Sequence, residues 1–114
     1  MALSGFILFY SHMGSTESPL LTISVAANLL KLHPRTLMLY ERAGFITPHR
    51  TDTNRRMFSF KDLEHLQFIK FLTHQQGINL QGIKFILEAF ALAEKEGVKL
   101  KKLLFPAFKP ASLV

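Results

Sequence analysis

From Leu21 onward, apolar positions recur in a pattern that divides the chain into short helices. Ile23, Ala26, Ala27 and Leu30 repeat at the spacing of one helix face, with Thr22 or Ser24 placed to cap it. Lys31-Leu32-His33 breaks the pattern, and Pro34 follows where proline suits a first helical turn, its missing N–H being one that would have no partner there. His33 stands where a side chain can cap the helix that follows. That second helix, about Pro34 to Ala43, splits its faces. Leu37 and Tyr40 point one way, while Arg35, Met38, Leu39 and Arg42 fall at i, i+3, i+4 and i+7 on the other. Two short helices with so brief a break predict a helix-turn-helix, whose second helix suits a DNA major groove.

Gly44 is expected to end the second helix, and Phe45-Ile46-Thr47 is a short β-prone run. Pro48 to Asn54 is polar and turn-forming, and Arg55 to Phe58 returns as a second short strand, so the pair reads as a hairpin wing. Ser59 and Asp62 form a capping box for a third helix running to about Gln76, with Leu63, Leu66, Ile69 and Leu72 on its buried side. Gly77 stops it. Asn79 caps a fourth helix whose Leu80, Ile83, Leu87 and Phe90 repeat at three- or four-residue steps. Phe68, Phe71, Phe85 and Phe90 are expected in the core between the helices. After Gly97, Pro106 and Pro110 limit any further helix to about Val98–Phe105.

The pattern therefore predicts a mainly α winged helix-turn-helix with about four helices and a short β-hairpin wing. Residues 1–18 lie outside it and read as a disordered or non-native leader, the string SHMGS resembling a cloning scar or a mis-assigned start. Residues 19–96 form the expected domain, and 97–114 a short basic-apolar tail that leaves no room for a ligand-binding domain.

Charge sharpens this picture. The formal net charge is +6, and between Lys31 and Lys61 seven basic residues face two acids, a balance of +5 on the helix-turn-helix and wing. Phosphate binding requires that concentration. The absence of cysteine excludes disulfides and thiolate metal sites. The five histidines, His12, His33, His49, His65 and His74, are scattered without ligand spacing, and there is no Gly-rich phosphate loop or nucleophile elbow. No enzyme, metal or cofactor is expected, and no run approaches the ~20 apolar residues of a membrane span.

Three ordered stretches carry a resemblance: TISVAANLL, HPRTLMLYERAGFITPHRT and NRRMFSFKDLEHLQFI, within Leu21 to Ala91. They resemble the DNA-binding domain of the MerR family of bacterial transcription regulators. ISVAA, the His33-Pro34 break, Arg55-Arg56 and QGINLQGIKFIL are most similar to its heat-shock repressor branch, HspR. The resemblance implies a cytoplasmic, nucleoid-associated repressor of chaperone genes that binds double-stranded DNA at inverted repeats as a homodimer, with an Hsp70 chaperone as partner. The short last helix departs from the long dimer helix of most relatives.

Arg35, near the start of the second helix, is placed to reach a guanine edge with its fork, or else to pair with Glu41 or Asp52. Thr36 stands beside it in the candidate contact set, and Arg42 points to a phosphate. The resemblance implies a phosphate bond from Tyr40, whose other role is core packing. It also implies a changed sequence preference, since Met38 and Leu39 occupy positions where many relatives have arginine then tyrosine. In the wing, Arg56 matches the arginine that relatives aim at the backbone, Arg55 the extra basic residue of the heat-shock branch, and His49 and Arg50 complete the set. In the tail, Leu103, Leu104, Phe105 and Phe108 with flanking Lys101, Lys102 and Lys109 either offer a chaperone an extended hook or fold back over the third and fourth helices. Two other functions fit the sequence: an excisionase-like architectural DNA-binding protein, and an interaction module that has lost DNA binding.

Overall fold

The computed structural model describes residues 17–113, so the expected leader lies almost wholly outside the described residues. These residues form two compact units, 17–67 with 111–113, and Phe68–Pro110.

The first unit opens with strand β1 (Leu21–Thr22) and helix α1 (Ile23–Leu30). Thr22 is the cap, its hydroxyl accepting the Val25 N–H at 3.3 Å. Ala26, Ala27 and Leu30 are buried, as their spacing predicts. Lys31 takes a left-handed φ of 56° and turns the chain, and the Leu32 N–H closes on the Ala27 carbonyl at 2.9 Å. Helix α2 (Pro34–Arg42) starts three residues later, capped by His33, whose Nδ1 accepts the Arg35 N–H at 3.0 Å. It ends on Gly44, whose φ of 84° few side chains tolerate. The Gly44 N–H donates to Glu41 and the Phe45 N–H to Tyr40, and the Tyr40 and Phe45 rings lie 6.1 Å apart. This is a Schellman motif with its hydrophobic contact.

That closure is why Phe45-Ile46-Thr47 does not become a strand despite its propensity. The Phe45 N–H is spent on the helix end, its carbonyl lies 2.8 Å from His65 Nε2, and Phe45 and Ile46 are buried. No ladder can form from groups already bonded. The wing instead pairs β2 (His49–Arg50) with β3 (Arg56–Phe58), in the register His49 with Met57 and Arg50 with Arg56. Its turn uses Asn54 at φ 63°, and the Asn54 N–H donates to the Thr51 carbonyl at 2.8 Å. Asparagine is among the few non-glycine residues that accept this conformation readily.

The expected hairpin is part of a three-stranded sheet in the order β1-β3-β2. Leu21 pairs with Phe58 and Thr22 with Met57, so the wing is stitched to the chain just before α1. Phe58 and Ser59 are buried where β3 runs into helix α3 (Phe60–His74). The predicted capping box closes reciprocally there: Ser59 Oγ accepts the Asp62 N–H and Asp62 Oδ2 accepts the Ser59 N–H, both at 2.9 Å. Leu63 and Leu66 are buried on α3. The Gln67 side chain holds both backbone groups of Ala111, accepting its N–H at 2.7 Å and donating to its carbonyl at 3.3 Å.

The second unit takes the rest of α3, helix α4 (Leu80–Lys95) and a short helix α5 (Leu100–Leu104), so the described residues hold five helices rather than about four. Phe68, Ile69, Leu72 and Ile83 are buried. Asn79 caps α4, accepting the Gly82 N–H at 2.8 Å. Phe71 and Phe90 are half-buried, but Phe85 is 73% exposed and is no part of the core. It lies two residues after Ile83, about 200° further round the helix, so burying one face of α4 turns Phe85 outward. In the tail, Phe105 and Phe108 fold back onto α3, with centroids 5.7 and 5.2 Å from the Phe68 ring. Leu103 and Leu104 do not.

Ser59→Ala is expected to cost about 1 kcal/mol, the usual worth of an N-cap hydroxyl. Urea denaturation measures it; an unchanged midpoint would show that the box contributes nothing.

Candidate nucleic-acid interface

Helix α2 buries Leu37 and Tyr40, the latter 3% exposed, and turns its other face outward. On that face Arg35 and Arg42 are exposed, Leu39 is 39% exposed, and Thr36 and Met38 are half-buried. The two arginines are seven positions apart, about two turns and ~10 Å along the axis. The first turn is positioned by its cap, because the Arg35 N–H is bonded to the His33 ring and the Thr36 N–H to the His33 carbonyl at 2.9 Å. A helix N-terminus with its donors tied this way fixes the direction in which Arg35 leaves the backbone.

The wing meets this helix at one carboxylate. Glu41 on α2 accepts from Arg56 Nε at 2.6 Å on Oε1 and from Arg50 Nη2 at 3.1 Å on Oε2. Arg50 also donates through Nη1 to the Asn54 carbonyl at 3.2 Å, tying the wing turn to the same point. Both terminal nitrogens of Arg50 are therefore engaged, whereas Arg56 is held through Nε and keeps its two terminal nitrogens for another acceptor. Burial pushes the Glu41 carboxyl up. The hydrogen bonds and charges of Arg56, then of Arg50, outweigh that and hold it below its ordinary 4.5.

Of the ten candidate contact residues, the structure joins Arg50 and Arg56 through Glu41. Among the described residues Arg35, Arg42 and Arg55 carry no ion pair, so Arg35 pairs with neither Glu41 nor Asp52. His49, Arg50 and Arg55 are exposed, and Arg56 is half-buried. The sequence named Glu41 only as a possible partner of Arg35, and its role as the joint for Arg50 and Arg56 was missed. The available signal was a single acid on an otherwise basic helix, followed by arginines in a strand-turn-strand. His65 was missed as well, since its bond to the Phe45 carbonyl spans twenty positions and follows no period.

A lowered carboxyl stabilises the fold above its unfolded value, and that contribution is lost as pH falls through the folded one. Glu41→Gln is therefore expected to cost on the order of 1 kcal/mol at neutral pH, the scale of charge-assisted bonds at a part-exposed site. The difference from wild type should begin to shrink as pH falls past 4.5, the ordinary value, and vanish only below the lowered value that Glu41 has in the fold, where both side chains are neutral. Denaturant melts at several pH values measure it; a difference that stays constant with pH would remove Glu41 from this role.

Known proteins are similar to this chain in sequence. The profile of the MerR HTH family regulatory proteins matches residues 21–89. The "Putative heat shock protein HspR" of Streptomyces coelicolor is 46% identical over 72 residues, covering 63% of this chain and 48% of that protein. The HTH-type transcriptional regulator GlnR of Bacillus anthracis is 39% identical over 86 residues, covering 75% of this chain and 65% of its own. An uncharacterized HTH-type transcriptional regulator of Synechocystis, slr0701, is 39% identical over 71 residues, 61% of this chain and 51% of that one. The chain thus spans about half to two-thirds of the length of the relatives it matches. Among the described residues, no helix is long and apolar enough to cross a membrane. The relatives are regulators rather than enzymes, and the family match spans well over half of the sequence: the chain belongs to the MerR HTH family of transcriptional regulators.

Proposed function

We propose that this protein is a sequence-specific DNA-binding repressor of heat-shock genes, acting in the bacterial nucleoid on inverted-repeat operators. The observation that carries this reading is the joint at Glu41. It sets the wing beside a helix whose Arg35 and Arg42 are exposed and free of ion pairs among the described residues. A helix in the major groove with a ribbon on the adjoining backbone is a recurrent way to read duplex DNA. The likeness to a protein named for heat shock favours that regulon.

In this reading Arg35 reaches a guanine edge from the first turn, where recognition helices contact bases, with Thr36 beside it. Arg42, two turns on, meets a phosphate. Leu39 and Met38 supply apolar surface suited to thymine methyl groups, and the Tyr40 hydroxyl bonds a phosphate while its ring stays in the core. Arg55 and Arg56 meet the backbone, His49 extends that contact, and Arg50 serves mainly to hold the wing. Residues 19–96 are the DNA-binding domain and 97–114 a tail. A homodimer matches the symmetry of inverted repeats. The tail, with Leu103 and Leu104 exposed between lysines, recruits an Hsp70 chaperone as co-repressor.

Binding of genomic fragments at several salt concentrations tests this. Arg55→Ala should weaken all sequences alike and reduce the salt slope by about one unit, the share of one phosphate contact. Arg55 is the cleaner choice than Arg56, whose loss would also unseat Glu41. Arg35→Ala should flatten sequence preference, removing about 1–3 kcal/mol of discrimination at one base pair. The reverse pattern would show the two roles exchanged, and absence of any steep salt dependence would favour an interaction module instead.

A further inference from the structure

The tail is not a free strand. Phe105 and Phe108 sit edge-on to the Phe68 ring, with centroids 5.7 and 5.2 Å away, and at 5.5 and 5.0 Å from Phe71. Phe108 N–H closes a turn on the Phe105 carbonyl at 3.2 Å, around Pro106 and Ala107. The Lys101 ammonium lies 4.2 Å over the Phe68 ring and 5.8 Å from that of Phe108. Two aromatic anchors and a cation thus close over one side of α3. Between them, α5 holds Leu103 and Leu104 outward, 70% and 56% exposed.

This arrangement conflicts with recognition in an extended form. A chaperone groove that takes a leucine- and phenylalanine-rich segment needs its backbone extended and its side chains released. Here the backbone from Leu100 to Leu104 is helical, and two of the four large apolar side chains are packed. We propose that residues 100–108 form a self-seated clasp, so that a chaperone of this class binds only after Phe105 and Phe108 leave Phe68 and Phe71. The exposed leucines mark the segment, and the phenylalanines decide when it is available. The inference rests on the reading of the tail as a chaperone-recognition segment. Apparent affinity is then the intrinsic affinity reduced by the fraction of molecules with the clasp open.

The test compares three molecules binding a purified Hsp70: a peptide of residues 98–114, the intact chain, and the intact chain carrying Phe71→Ala. The last removes a receiving ring and leaves the tail sequence unchanged. The clasp predicts that the peptide binds at least ~10-fold tighter than the intact chain, the factor by which a mostly closed state lowers apparent affinity. Phe71→Ala should move the intact chain toward the peptide and speed trypsin cleavage after Lys101 and Lys102. Equal binding of peptide and intact chain overturns the clasp while leaving the tail reading in place. Should a chain lacking 98–114 bind the chaperone as tightly as the full chain, the tail reading falls and the clasp with it. If Phe71→Ala does not fold, the ratio of peptide to intact chain still decides.

Discussion

The first unit turns on one carboxylate shared by two guanidinium groups. Strands of two and three residues, such as β2 and β3, do not make a stable hairpin in water on their own. Pairing β3 with β1 gives the ribbon one fixed edge, and Glu41 gives it another. Because Arg50 and Arg56 face each other in the register, their like charges would push the two strands apart without a carboxylate between them. Glu41 turns that repulsion into an attachment to α2. The cost is part of the basic balance of the region, and the return is that a short hairpin has a defined position beside α2. Removing one partner of such a cluster leaves the others unpaired, which is why the acid matters more than either arginine.

What the sequence made legible was local. The His33, Thr22, Ser59–Asp62 and Asn79 caps each act within two or three residues, so side-chain type and position were enough to place them. The buried faces of α1 and α3 followed from a 3.6-residue period. Long-range pairings were not legible in that way. Leu21–Thr22 is too short to show alternation, so its place in the sheet had no signature. Phe45-Ile46-Thr47 has the composition of a strand, and only the helix closure and the His65 bond explain why it is not one. At the candidate interface the arginines could be named in advance, but which of them Glu41 would take could not. That choice depends on a register spanning fifteen positions.

Phe85 and Phe105 show the same limit from two sides. Both are phenylalanines near helices, yet one faces solvent and the other is packed. A helix with apolar residues on more than one face offers several ways to be buried, and only the neighbours select among them. On α4 the choice fell to Ile83. In the tail it fell to the two aromatics that a proline turn can bring back to α3.

The tail follows from the same physics at a smaller scale. A helix of five residues without a side-chain cap has almost no stability of its own. Its order must come from its surroundings: it packs against α4 before it, Phe105 and Phe108 pack after it, and its own Lys101 reaches over Phe68. In the first unit, by contrast, the capping box, the sheet and the Glu41 joint each constrain the chain at a different place, so no single local opening frees it.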